Sequence, residues 1–441
     1  MTVVFRPSSP STDPPSDRAG AHRRPIPRTR WVLLPGGQIS VTALALGLTM
    51  MWPGLGRTDV GLMKHNPLEM TEVSLPPDAR GVVVDLVANA DVGWVLVRTG
   101  SGFAVVQFDP PTMAIPTTLS YPFSSPFTLL QAAVATDGTA WIVGTENDSE
   151  PLTQFLLLRL SGGKITKEVI RPDFGTQSIG EGDDPPMMHI GAVLALPEAV
   201  WLGGWVGVHS DQVAYAAFYG QIDSQLKWNR GGTVALESVM QKETGDKIPP
   251  YESGITALLM EKTDVVAVGY ARIAESPKEW VWSSVLGRSK TKVHKIGQTK
   301  AGPPSPIVVA DPGVGVATVF VPTAESTQIE RWDWSPLDPK GASQHRDITL
   351  QSPLDGGEWP LLAVGFGPDY THMWIGGDEP SWVTVKGDNT VEQYPASFLK
   401  PYRSTRAVVA SQRGFWLAME PGTNVTPPLT DVLLHVRLRH Q

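Results

Sequence analysis

Between residues 80 and 441 the chain repeats one phrase: a short apolar strand, a tight turn, then a second strand that usually carries Trp with Gly three residues later. It reads Thr139-Ala140-Trp141-Ile142-Val143-Gly144, then Ala199-Val200-Trp201-Leu202-Gly203-Gly204, then His372-Met373-Trp374-Ile375-Gly376-Gly377. Eroded forms stand at Asp264-Val265-Val266-Ala267-Val268-Gly269, where Val266 replaces Trp, and at Gly414-Phe415-Trp416-Leu417-Ala418-Met419, where Met419 replaces Gly. Such recurrence marks a repeat architecture, in which each supersecondary unit buries its apolar face on the next.

Apolar runs bounded by turn residues divide the rest of the chain into seven blocks. Six predict four strands each; block two, for example, has them at 129–135, 139–145, 153–160 and 164–170. The seventh predicts three, near 406–411, 414–419 and 430–438, before Gln441. The segment Glu69 to Leu75 precedes block one and has strand composition, so it can supply the fourth. The expectation is an all-β, seven-bladed β-propeller of four-stranded antiparallel blades, closed by an N-terminal outer strand at about 69–75 that completes the last blade. Such closure removes exposed sheet edges. A linear solenoid would leave no strand owed, and a pair of β-sandwiches stays open as an alternative. Gly 43, Pro 40 and a charged fraction of 18% suit many short strands joined by turns.

The N-terminus is different in kind. Residues 1–30 hold six arginines, two aspartates and many Pro and Ser, a composition that cannot bury a core and predicts a disordered basic tail. Ile39 to Trp52 is uncharged and mostly apolar, and Pro53-Gly54-Leu55-Gly56 follows it. Residues 31–56 therefore read as a signal peptide or a signal anchor, with 57–441 as the repeat domain. A cytosolic N-terminus of unusual composition stays open as a third reading. In either exported case the domain is secreted, periplasmic or held at a membrane by residues 31–56, with the Arg-rich flank on the cytoplasmic side.

Residues 1–56 carry +4, which leaves −12 for the remainder against a total of −8. An acidic body repels nucleic acid and anionic lipid, so neither is an expected partner of the domain. Cysteine is absent, which excludes disulfides, thiol catalysis and zinc-thiolate sites.

Block three, Ala199 to Arg230, resembles a blade of the bacterial secreted β-propellers whose repeats read apolar-Gly-Gly, loop, apolar strand with Asp, then Lys-apolar-Trp. Asp223 and Lys227-Trp228 also resemble the tail of the tryptophan-docking motif of quinoprotein propellers. Gln225-Leu226 stand where that motif has Gly before Lys, and no other block repeats it, so the resemblance implies the architecture and not a quinone.

Familiar chemical signatures are absent or incomplete. Trp332-Asp333 occurs once and without an upstream Gly-His, and Asp137-Gly138-Thr139 lacks the rest of an Asp-box, so it reads as a tight turn. No Gly-x-Ser-x-Gly elbow, phosphate loop or dinucleotide fingerprint is present. The nine histidines read as scattered, without ligand spacing to a carboxylate on one strand, so no histidine metal site is expected. Trp280 with Trp282, and Trp332 with Trp334, read as seam-filling core pairs.

The connections between second and third strands, and between successive blocks, emerge on one face and are long; those on the other face are short. Binding resides preferentially on long loops carried by a rigid scaffold. The candidates are Glu181, Asp183 and Asp184 in one inter-block connection, Glu252 after another, and Trp205 and Trp359 at loop junctions. No cofactor is expected. Calcium at Glu181 to Asp184 would lack the spaced oxygen ligands of a dedicated loop. The expected function is non-catalytic binding of a protein or carbohydrate ligand through the loop-rich face. The alternative is a glycan-active enzyme using paired carboxylates, such as Asp183 with Glu252 or Asp311.

Overall fold

In this computed structural model the described residues are Val4–Phe5 and 67–439, apart from 90, 100–101, 111–116, 122–126, 147–153, 174–186, 208–214, 237–250, 273–278, 288–292, 300–306, 311–316, 323–327, 338–342, 351–360, 367–369, 377–379, 388–389, 412–413 and 423–429. Residues 31–56, and with them the expected signal or anchor, lie outside this set. Among the described residues no helix is long and apolar enough to cross a membrane. Of the expected basic tail only Val4–Phe5 is described, paired antiparallel with Ile307 and Val308.

The fold is all-β, with two single turns of 3-10 helix among the described residues, at Pro77–Ala79 and Ser397–Leu399. Its strands pair antiparallel in groups of four, in chain order within each group. Unit one begins at Val82–Ala88, unit two at Phe127–Val134, unit three at Met188–Leu196 and unit four at Glu252–Glu261. Units five and six begin at Ile307–Ala310 and Leu361–Phe366. Units three and four are joined by one parallel bridge, Tyr215 to Glu252. The last group consists of Tyr402–Ser411, Gly414–Pro421, Val432–Leu438 and, from the other end of the chain, Leu68–Val73. Leu68 pairs with Leu438 and Val73 with Leu433. The strand expected at 69–75 is thus found at Leu68–Val73, beside the last strand.

Where burial is described, the fourth strand of a unit is the least buried. In unit two Phe155–Ser161 is buried over most of its length, whereas Lys164–Ile170 is largely exposed. Strands buried on both faces need near-continuous apolar runs, which the first three strands of each block carry. The core lies between units rather than within them. Phe218 of unit three packs with Trp141 and Phe155 of unit two; Trp201 of unit three packs with unit four, and Trp332 of unit five with unit four. Phe320 of unit five, Trp374 and Trp382 of unit six and Phe415 of unit seven share another cluster, and Trp416 of unit seven packs with Phe108 of unit one. The first strands also touch in order: one with two, two with three, and so on through seven with one.

The repeated Trp is a packing element, and in units one and two its Nε1 also reaches a carbonyl of the next unit, whereas that of Trp374 and of Trp416 is buried without a hydrogen-bond partner among the described residues. Trp141 is fully buried and its Nε1 donates to the carbonyl of Leu196, at the first turn of the next unit, at 3.3 Å. Trp94 opens the same phrase in unit one, where the eroded sequence hides it, and its Nε1 donates to Gly138 of unit two at 3.2 Å. The Trp280–Trp282 and Trp332–Trp334 pairs are buried, as their spacing predicts. Asp137–Thr139 forms the expected tight turn, with Gly138 at φ 82° and the Asp137 Oδ1 accepting from the Thr139 amide at 2.9 Å.

A feature not anticipated from sequence is a β-bulge in the first strand of six units. The register shifts between Val83 and Asp85, Leu129 and Gln131, Ile190 and Ala192, Ile255 and Ala257, Leu361 and Ala363, and Thr405 and Ala407. One extra residue bends the strand and re-aims a side chain.

Candidate functional site

In an antiparallel unit the start of the first strand, the end of the second and the start of the third lie at one end, the end where the long connections emerge. At that end of units three and four the described residues form one polar and aromatic strip. It begins at His189, in the first strand of unit three, whose ring stacks on Trp205 with centroids 5.3 Å apart. Trp205 meets Tyr215 edge-on at 4.4 Å. Tyr215 opens the third strand of its unit and pairs with Glu252, the first residue of unit four's first strand.

Unit four supplies the charged half. Glu252 accepts a hydrogen bond from the Tyr270 hydroxyl at 3.0 Å. Arg272, at the end of the second strand, lies 3.6 Å from Glu252 and donates through Nε to Glu279 at 2.8 Å. Glu279 opens the third strand and its side chain is only 1% exposed. Its other oxygen, Oε1, is buried without a hydrogen-bond partner among the described residues. Burial pushes the Glu279 carboxyl up to about 7 even though Arg272 pulls it down. Loss of hydration outweighs one guanidinium here, as is common for a buried ion pair. Burial likewise holds the Tyr270 hydroxyl well above its usual 10, with Glu252 adding to the effect. Tyr215 is raised by burial and then by Glu252 and Tyr251. Tyr251 itself is 46% exposed, an open aromatic face beside the strip.

Of the six residues expected to contact a ligand, Trp205 and Glu252 are described and fall in this one strip, linked through Tyr215. Trp205 is 8% exposed, so it supports Tyr215 from beneath and offers solvent little of its ring. Glu181, Asp183, Asp184 and Trp359 lie outside the described residues, as does Asp311. The partners that sequence reasoning missed are His189, Tyr215, Tyr270, Arg272 and Glu279. Strand-end position was the available signal, since Arg272 and Glu279 flank the loop-rich connection between the second and third strands of block four.

Unit seven carries a related arrangement. Arg406, the bulged residue of its first strand, reaches Glu420 at 3.0 Å and Asp431 at 2.9 Å. Asp431 accepts from the Val83 amide of unit one at 2.8 Å, and its amide donates to the Gly81 carbonyl. Burial raises its carboxyl to about 6 against the opposing pull of Arg406.

The end of block three, where the sequence resembles a tryptophan-docking tail, forms a tight turn. Asp223 Oδ1 accepts from the amides of Gln225 and Lys227, Leu226 takes φ 62°, and the turn delivers Trp228. The Trp228 Nε1 donates to the carbonyl of Asp173, past the last strand of unit two, at 2.9 Å. Its ring lies against Gly220 and Gly231, where a Cβ would collide with it.

The reading of the histidines needs one correction. His345 and Asp347 stand two apart on Gln344–Thr349, which places them on the same face of one strand, with Glu330 opposite Asp347 on the neighbouring strand.

No family model and none of the curated proteins match the chain. Among solved structures it is similar to polysaccharide lyase Uly1, with 9% identity and a TM-score of 0.47 over 81% of this chain and 90% of that one. It is also similar to the Dos1 propeller, at 8% identity and a TM-score of 0.42, covering 86% and 98% of the two chains. Trypanosoma rangeli sialidase gives 8% identity and a TM-score of 0.42 over 84% of this chain, in its complex with the inhibitor DANA, and 60% of the other.

Proposed function

We propose that the chain is an exported binding protein: a closed seven-bladed β-propeller that holds a glycan or protein surface at the loop-rich end of units three and four. Closure is supported by the pairing of Leu68–Val73 with Val432–Leu438 and by the unbroken succession of contacts between first strands. Export is supported by the basic and apolar composition of residues 1–56. The observation that carries the binding reading is the exposed Tyr251 beside Tyr215 and Glu252, an aromatic face next to a fixed polar group. Binding sites commonly combine apolar lining with a few placed polar groups.

The glycan-cleaving alternative has one observation in its favour, a carboxyl at Glu279 poised to donate a proton near neutral pH. Against it, Glu279 is sealed behind Arg272, and both carboxylates face that guanidinium instead of opposite sides of an open cleft. Glycosidic cleavage needs two carboxyls flanking the bond.

The test uses the full chain against a panel of immobilised polysaccharides and proteins, with Tyr251→Ala and Glu252→Gln as variants. Retention of one panel member, weakened at least about tenfold in each variant, is expected. Equal retention by both variants contradicts the site, and release of oligosaccharides that stops in Glu252→Gln contradicts the binding-only reading.

A further inference from the structure

We propose a site for a divalent transition-metal cation on the outer edge of unit five, held by Glu330, His345 and Asp347. It is remote in sequence from the strip on units three and four and does not depend on it. The strands Gln328–Trp334 and Gln344–Thr349 pair with Glu330 opposite Asp347 and Trp332 opposite His345. Residues two apart on a strand share a face, so this register gathers all four side chains into one patch. Directly opposed side chains in an antiparallel pair have Cβ atoms about 4.5–5.5 Å apart, close enough for one ion to bridge them.

The donor atoms meet that requirement. One ligand atom from each of Glu330, His345 and Asp347 lies within 4.8 Å of the others, and His345 Nε2 is 3.4 Å from Asp347 Oδ1. Bonds of about 2.0–2.2 Å to nitrogen and carboxylate oxygen need little more than a side-chain rotation from this starting point. The His345 ring is already oriented, packed on Trp332 with centroids 5.0 Å apart. Trp332 is itself buried against unit four, so the platform under the imidazole is rigid. Two carboxylates directly opposite each other repel, and a cation between them reverses the sign of that interaction. His345 and Asp347 are each about half exposed, at 47% and 51%, so an ion can enter from solution.

The ligand set determines the class of metal. An imidazole with two carboxylates suits zinc, manganese or other divalent transition ions, whereas calcium seeks six to eight oxygens. Three protein ligands leave positions for water. The consequence for the fold is a clasp on the outermost strand of unit five, which has no further strand outside it within its sheet.

Zinc chloride titrated calorimetrically into the metal-stripped full chain tests the site, with His345→Ala and Asp347→Asn as variants. The parent is expected to bind one more zinc equivalent than His345→Ala, and zinc is expected to raise the Tm of the parent more than that of either variant, by mass action. Asp347→Asn keeps the imidazole and the strand and should weaken binding at that equivalent at least about tenfold. Because both side chains are exposed, the metal-free variants should melt with the parent. Identical zinc binding in parent and His345→Ala, no zinc binding at all, or calcium bound as tightly as zinc at the same residues would each overturn the proposal.

Discussion

The glycine of the repeated phrase has a steric reason. Gly144 pairs with Leu129, Gly204 with Ile190 and Gly269 with Ile255, in each case the last paired residue before the bulge of the first strand. There the first strand bends toward the second. A Cβ on Gly204 would run into the carbonyl oxygen of His189, one on Gly269 into that of Gly254, and one on Gly144 into the Phe127 ring and the Thr128 carbonyl. Backbone atoms cannot rotate aside as a side chain can. Gly269→Ala is therefore expected to destabilise the protein by about 2 kcal/mol or more in denaturant unfolding, whereas Gly162→Ala, with open space around it but φ at +56°, should cost about 1 kcal/mol. A cost at Gly269 no larger than at Gly162 would contradict the close-approach explanation. Met419 holds the corresponding place in unit seven, opposite Thr405, where a second register shift between Tyr402 and Ser404 accompanies the bulge.

At the level of single units, the strands were legible because their signal is burial, and burial is written in apolar runs. The buried Ser381–Lys386 coincides with its expected strand, and the less buried Lys164–Ile170 and Val391–Pro395 coincide with theirs because the turn residues Ser161-Gly162-Gly163 and Gly387-Asp388-Asn389 mark where they begin. Unit seven's first strand begins at Tyr402, not at 406, because Arg403 and Arg406 interrupt the apolar run that marks the others. The charged groups at the strand ends were not legible, since an ion pair is a relation between residues that only the register brings together. Units four and seven each set one arginine between two carboxylates drawn from neighbouring strands: Glu252, Arg272 and Glu279 in one, Arg406, Glu420 and Asp431 in the other. Each set ties three adjacent strands together at the loop-rich end. It also leaves a carboxyl whose folded pKa is raised.

That shift fixes the sign of a pH effect. Glu279 is raised from its usual 4.5 to about 7, so the folded protein retains a proton that the unfolded chain releases between these values. Its contribution to stability is full below about 4.5 and is lost as pH rises through about 7. Glu279→Gln removes this dependence. Relative to the parent, the variant should gain on the order of 1–3 kcal/mol between pH 5 and pH 8, read from urea unfolding at each pH. A difference that stays constant, or moves in favour of the parent, would show that the Arg272 pair dominates over burial.

For the whole molecule, the decisive relation joins the two ends of the folded chain. Glu69 and Arg437 face each other across Leu68–Val73 and Val432–Leu438 and form an ion pair at 3.0 Å. Asp431 and Gly81 add a hydrogen bond between units seven and one. The sequence announced this contact only by arithmetic, as one strand too many at the start and one too few at the end; the core clusters that span each seam supply its driving force, at about 25 cal/mol per Å² of apolar surface removed from water. The chain has no cysteine of its own, so the closure can be tested without background. In the Glu69→Cys, Arg437→Cys double variant, mild oxidation should form an intrachain disulfide, since paired positions in an antiparallel ladder fall within the usual Cα separation of about 4.4–6.8 Å. Quantitative loss of both free thiols in the monomer, with a raised Tm and no bond in a Glu69→Cys, Glu168→Cys control, is the predicted result; thiols that stay free, or that pair only between molecules, would contradict a ring closed by its N-terminal strand.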